Sequence, residues 1–228
     1  MKSAPAIEIL NWAITTHGKE FAIATSFQKE GMVILDMASR IAPDVRAFTL
    51  ETGRLPEETL RMIDIVRERY GIVVEAVRPD PAEVEQMIAE RGRDLFYESV
   101  ENRRLCCEVR KVRPLERKLR ELRAWATGLR RDQSETRAEI KPVEEIDGRL
   151  RISPLADWTA AQVDHYIQAN NVPLHPLYSQ GYTSIGCAPC TRAILPGEDE
   201  RAGRWWWEDT TRKECGIHFT VDGTAKRA

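Results

Sequence analysis

The chain has 228 residues, of which 42% are hydrophobic and 31% charged. That balance excludes collagen-like, coiled-coil and fully disordered classes, and the length fits one domain or at most two. Lys and Arg number 34 against 36 Asp and Glu, leaving a formal net charge of −2. The chain as a whole is therefore no polyanion binder, and any anion site has to come from local clustering.

The first 20 residues place Glu8, Asn11 and Glu20 among apolar positions, so they form no signal-peptide core. No apolar run is long enough to span a bilayer. These features predict a cytoplasmic protein without membrane partners, in a compartment where disulfides are rare.

Residues 20–25 read as a first strand ending at Ser26, and 31–41 as a helix. Residues 45–50 read as a second strand. Pro56 opens an amphipathic helix to Tyr70, with Glu57 and Glu58 in its first turn. Residues 72–77 make a third strand, Pro81 opens a helix to about Arg91, and 123–128 make a fourth strand behind a basic helix. This alternation predicts an α/β fold, a mostly parallel twisted sheet with helices on both faces. Residues 149–153 read as an added edge strand. Asp157 or Thr159 caps a helix running to Asn170. The Pro- and Gly-rich remainder reads as loop rather than a second core. The organisation expected is an α/β domain over 1–200 and a C-terminal arm over 201–228.

Ligands in open α/β sheets sit beyond the carboxyl ends of the strands. Three such ends carry loop chemistry here: Ser26-Phe27-Gln28-Lys29-Glu30-Gly31, Glu51-Thr52-Gly53-Arg54, and Gly128 through Ser134. Together they suggest a nucleotide-sized anion. The first lacks the G-x-x-x-x-G-K-[S/T] of a phosphate loop, so a Walker-type ATPase is not indicated.

Of five cysteines, Cys187 and Cys190 form a C-x-x-C in a Gly/Pro-rich loop, and Cys106 and Cys107 are adjacent. Neighbouring positions on a helix point about 100° apart, which suits a multi-iron cluster better than one zinc ion. A structural zinc site, and a redox C-x-x-C beside two unrelated core thiols, stay open on spacing alone. From Arg103 to Arg131 there are eleven Lys and Arg against three Glu. A solvated helix face is the ordinary meaning of such a run. Arg110 and Lys111 beside the cysteine pair, and Arg130 and Arg131 at a strand end, favour oxyanion recognition instead. Only Trp125 interrupts the run with an aromatic ring, which argues against nucleic acid as the partner. Cys215 lies in Lys213-Glu214-Cys215-Gly216-Ile217-His218, where Lys213 and His218 favour a nucleophilic thiolate; an incidental exposed cysteine is the competing reading. Trp205-Trp206-Trp207 reads as packing for the arm, with a docking surface as the alternative.

Together these segments resemble the adenylyl-sulfate and 3′-phosphoadenylyl-sulfate reductase family, the assimilatory adenylyl-sulfate reductases above all. The resemblance rests on Cys106-Cys107 with Arg110 through Leu115, T-G-L-R-R-D-Q-S at 127–134, E-T-G-R-L-P at 51–56, Cys187-x-x-Cys190 and the terminal K-E-C-G-I-H. It spans about residues 20–220. It implies an adenine-nucleotide α-hydrolase-like fold and a 4Fe–4S cluster on Cys106, Cys107, Cys187 and Cys190. It also implies a Cys215 that attacks the sulfur of adenosine 5′-phosphosulfate. AMP leaves, an S-sulfocysteine remains, and a thioredoxin- or glutaredoxin-type dithiol releases sulfite from it.

By the same resemblance Lys111 couples cluster to sulfate. Arg130, Arg131 and Arg137 form an arginine loop over the phosphosulfate, with Gly128 in the same loop. Arg201 and Arg204 hold the sulfate end, His218 positions substrate, and Ser26, Phe27, Thr52, Gly53 and Arg54 contact ribose and adenine. Gln28, Lys29 and Glu51 depart from the family's usual small first loop and Asp-containing second loop, which bears on tolerance of a 3′-phosphate. A 3′-phosphoadenylyl-sulfate reductase, an ATP-dependent sulfur transferase and an iron–sulfur or zinc DNA-binding regulator are the alternatives. Relatives are often homo-oligomers, although no heptad marks one here.

Overall fold

The computed structural model describes residues 5–134 and 137–208. The expectations for Cys215 and His218, and most of the expected arm, lie outside the described residues.

The first described helix, α1 (Ala6–His17), is one the sequence reading did not predict. Ala6, Ile9, Leu10 and Ala13 give it a single apolar face at helical spacing, and Gly18 closes it with φ +50°. Strand β1 (Phe21–Ala24) follows, then α2 (Lys29–Ile41). Helix α2 begins two residues before the expected Gly31, and every residue from Gly31 to Ala38 is buried. It packs on α1, on α3 (Glu57–Tyr70), on β1 and on α7 (Ala160–Asn170), which covers its apolar stretch from several sides.

Strands β2 (Ala47–Leu50), β3 (Val74–Val77), β4 (Ala124–Ala126), β5 (Val143–Ile146) and β6 (Arg149–Ile152) complete one six-stranded sheet in the order β3-β2-β1-β4-β6-β5. The β1–β2, β1–β4 and β4–β6 pairs are parallel, and β5–β6 is antiparallel. The α/β expectation therefore holds. One detail is corrected: 149–152 is an inner strand, and the edge is β5. Asp147 (φ +50°) and Gly148 (φ +73°) make the two-residue hairpin turn between them, since both positions need left-handed backbone.

Thr159, rather than Asp157, caps α7. It forms a reciprocal capping box with Gln162, and Asn171 ends the helix in the left-handed region. The expected basic helix is composite: α5 (Val100–Cys107), a π turn (Glu108–Val112) and α6 (Arg113–Leu119), with α4 (Pro81–Arg91) upstream.

The chain divides into two compact units. The first comprises 5–49, Glu57–Glu75 and Leu119–Pro176; its core joins Leu10, Phe21, Ile23, Phe27, Met32 and Ile152, among others. The second comprises Leu50–Pro56, Ala76–Lys118 and 177–208. The loop-rich stretch after Pro176 was not expected to build a core. It nevertheless delivers Cys187, Cys190 and Trp205 to an apolar cluster with Met87, Leu95, Phe96, Cys106, Cys107 and Val109.

Candidate functional site

In the second unit, Ser99 caps α5 by accepting from the Asn102 N–H at 3.1 Å, which fixes the start of an eight-residue helix. Cys106 and Cys107 end it, where the ladder widens into the π turn. Such turns break side-chain phase locally and recur at functional sites. The opposing thiols flank a short 3₁₀ turn, Ala188–Cys190, with Cys187 as its N-cap and Cys190 as its last residue. It is closed by the Cys190 N–H on the Cys187 carbonyl (2.9 Å) and by the Thr191 hydroxyl on the same oxygen (3.1 Å). The Ala188 N–H donates to the Arg54 carbonyl at 2.8 Å, tying this turn to the 50–56 loop.

All four cysteines are free and buried, and they line one cavity with Arg54, Arg103, Arg110, Lys111 and Arg204. Among the described residues, no carboxylate lines it. Cys187 Sγ lies 3.2 Å from the Thr52 hydroxyl. Arg110 Nη1 donates to the Thr52 carbonyl at 2.7 Å. Gly53, at φ +71°, is where a Cβ would stand 3.2 Å from Arg110 Nη1, so the loop takes a residue without one. Arg54 pairs with Asp94 (2.6 Å) and stacks over Phe96. Arg103 pairs with Glu208 (2.5 Å) and lies over Trp205. Arg204 lies over the same indole and donates to the Ser184 hydroxyl. Gly186 makes room for it, since a Cβ there would stand 2.7 Å from its guanidinium carbon.

Burial pushes the Cys106 thiol up, opposed chiefly by Arg110. Burial, followed by Cys187, pushes Cys190 up to about 12, with Lys111 and Arg204 pulling the other way. Burial thus favours the protonated form of Cys106 and Cys190. Among the described residues, no group of three or more His, Cys, Asp or Glu stands ready to hold a metal ion. The thiols ring a cavity rather than meet at one point, so they do not form a ready single-ion site. The donor set itself suits a larger thiolate-bound group of negative charge. Four soft sulfurs face cations, and the buried Arg110 Nε, Arg204 Nε and Trp205 Nε1 have no hydrogen-bond partner.

In the first unit, strand order reverses between β1 and β4, the crevice where open sheets bind ligands. Past β1, the Thr25 hydroxyl accepts from the Phe27 N–H at 3.0 Å and holds Phe27 at φ +56°. The Phe27 ring is wholly in the core, so that residue can offer a ligand only backbone. Ser26 is exposed, and its hydroxyl accepts from Gln28 Nε2. Lys29 reaches Asp164 at 2.7 Å.

Past β4, Gly128 lies against α2: a Cβ there would stand 2.7 Å from Glu30 Cβ. Arg130 is buried. It donates to Glu30 (2.9 Å), Asp132 (3.2 Å) and the Trp158 carbonyl (3.1 Å). Arg131 donates to the Ile140 carbonyl (2.7 Å) and pairs with Asp157. Arg137 is bonded to Gln133. Arg110 stands beside the thiols as the sequence led us to expect, whereas Glu30 as the buried partner of Arg130, and Arg103 and Glu208 around the thiols, were not anticipated. The spacing of Arg110 from Cys106 was its only sequence signal; nothing local marks Glu208. Among the expected substrate residues, Thr52, Gly53, Arg54, Lys111 and Arg204 gather around the thiols. Ser26, Phe27, Gly128 and Arg130 gather at the β1/β4 reversal. Arg201 sits partly exposed, its N–H on Asp199.

Residues 20–193 match the phosphoadenosine phosphosulfate reductase domain family. The chain belongs to this family. It is 51% identical over 200 residues to the adenosine 5′-phosphosulfate reductase of Burkholderia cepacia, covering 87% of this chain and 80% of that one. It is 48% identical over 220 residues to the Allochromatium vinosum protein of the same name, covering 95% and 85%. Among solved structures it is similar to a phosphoadenylyl-sulfate reductase from Candida auris, with a TM-score of 0.70 and 28% identity, covering 84% of this chain and 91% of that one. That likeness agrees with the mostly parallel six-stranded α/β sheet described above.

Proposed function

We propose that this enzyme reduces adenosine 5′-phosphosulfate to sulfite and AMP, as an oxidoreductase of sulfate assimilation. The observation that carries the reading is the convergence of both cysteine pairs and Lys111 on one cavity, in a chain about half identical to proteins named for that reaction.

In this reading the Cys215 thiolate attacks the sulfate sulfur, the S–O bond to AMP breaks, and an S-sulfocysteine remains. A thiolate of a dithiol reductant then attacks Cys215 Sγ. Sulfite leaves with the S–S electron pair, a mixed disulfide forms, and the partner's second thiol returns Cys215 to thiol. The reductant is a thioredoxin-type protein and the compartment is cytoplasmic. No described helix is long and apolar enough to cross a membrane.

Cys106, Cys107, Cys187 and Cys190 would hold a 4Fe–4S cluster. When bound, it supplies fixed charge beside the substrate's sulfate and ties α5 to the 188–190 turn. Arg110 and Arg204 offer it buried N–H groups, and Lys111 carries positive charge to the same cavity. At the sheet reversal, Gly128 lets the β4 loop lie against α2, while Glu30 keeps Arg130 and that loop in place.

The 3′-phosphorylated nucleotide is the competing substrate, the one in the name of the Candida auris protein. Anaerobic sulfite release with thioredoxin, run side by side on both nucleotides, decides between them. A kcat/KM higher on adenosine 5′-phosphosulfate supports the reading, and the opposite order replaces it.

A further inference from the structure

Large aromatic rings left in water forgo the burial that makes them stabilising, so an ordered group of them at a surface calls for a partner. In the second unit Tyr97 and Trp206 are 45% and 46% exposed. Their ring centroids are 6.4 Å apart, and Trp207 stands 4.4 Å from Tyr97 and 5.4 Å from Trp206. The buried Phe96 ring supports both neighbours, 4.5 Å from Tyr97 and 6.0 Å from Trp207, and is itself covered by Arg54. The Tyr97 hydroxyl donates to the Pro189 carbonyl, inside the C-x-x-C turn, at 3.1 Å. The patch is thus held in place beforehand, and binding it would cost little side-chain entropy.

Cys215 follows Trp206 by nine residues. Fully extended, that much chain reaches no further than about 30 Å. A protein that attacks Cys215 Sγ must bring its own sulfur to bonding distance, so its footprint has to fall within that reach. The patch meets this condition and offers the Trp- and Tyr-rich surface typical of interface centres. We propose that Tyr97, Trp206 and Trp207 form the docking surface for the dithiol protein that regenerates Cys215, a small protein with an apolar face around its thiols. The inference rests on the thiol route proposed above.

The test uses the full-length, iron-loaded enzyme with adenosine 5′-phosphosulfate at saturation. Sulfite release is driven either by thioredoxin at varied concentration or by dithiothreitol, a dithiol too small to need a docking surface. Trp206→Ala raises the KM for thioredoxin about tenfold or more, as loss of an interface hot spot does. Its dithiothreitol-driven turnover stays within about twofold of wild type. Trp206→Phe recovers most of the thioredoxin KM. An unchanged thioredoxin KM in Trp206→Ala overturns the docking surface, as does an equal loss with dithiothreitol. So does a wild-type dimer that Trp206→Ala dissociates, which would make the patch a self-association face. Wild-type enzyme that releases no sulfite with either reductant removes the functional reading instead.

Discussion

Replacing Glu30 with Ala removes the carboxylate that faces Arg130 at 2.9 Å, with side chains only 14% and 7% exposed. Stripping one partner from a buried ion pair costs about 3–5 kcal/mol, because the remaining charge stays desolvated. Asp132 and the Trp158 carbonyl still hold Arg130 Nη1, and Asp132 is half exposed and so a weaker partner. The loss therefore falls at the low end, about 3 kcal/mol. For a chain of this length each kcal/mol moves Tm by about 2–4 °C, so the fall is about 6–12 °C. The assay is thermal unfolding of wild type, Glu30→Ala, Arg130→Gln and the double variant. In the double variant no buried charge is stranded, so its loss is smaller than the sum of the two singles. A Glu30→Ala Tm within about 2 °C of wild type would show that the pair is not desolvated, since a buried pair is not that cheap to break. So would strict additivity in the cycle.

Gly128→Ala drives a methyl to 2.7 Å from Glu30 Cβ and costs about 1–3 kcal/mol, read as a lower Tm together with a raised KM for the nucleotide. His175 is buried with Nε2 2.9 Å from the Thr59 hydroxyl, and burial lowers its pKa below 6.5 against an upward pull from Glu58. The unfolded chain then binds the extra proton first. Stability is full above about pH 6.5 and falls as pH drops toward the lowered folded value. Tm scans from pH 7.5 to about 5.5 show this fall, and His175→Gln flattens part of it. Lys111→Ala loads iron as wild type does, by content and visible absorbance, while kcat/KM drops about 10–100-fold. Unchanged turnover with full iron would break the proposed coupling of cluster to sulfate.

The parallel sheet was legible because its strands are short apolar runs divided by helix signals: Pro56 with Glu57 and Glu58, Asp80-Pro81, and Thr159 with Gln162. Helix α1 is legible only from Ala6, Ile9, Leu10 and Ala13, four apolar positions at helical spacing with no side-chain N-cap to mark its start. The edge strand was misplaced although Asp147-Gly148 is a hairpin turn in plain sight. The second core was hidden for a physical reason. Its members come from α4, the 3₁₀ turn Leu95–Tyr97, α5, the π turn, the C-x-x-C turn and Trp205, too scattered for any window of periodicity to see. Cysteine spacing marked the thiols, yet the cations that line their cavity are set by folding: Arg54 arrives from a strand end and Arg204 from beyond the C-x-x-C turn. The long-range pairs Arg130–Glu30 and Arg103–Glu208 have no local signature at all.

In the proposed reaction, sulfur is transferred to Cys215 before any reductant acts. Anaerobic incubation of the iron-loaded enzyme with adenosine 5′-[³⁵S]phosphosulfate, without reductant, tests it directly. About one label per chain is expected on the peptide containing Cys215, with an equal amount of AMP and release of the label as sulfite when thioredoxin is added. Label that persists in Cys215→Ser, or wild-type turnover without any labelled chain, would contradict it.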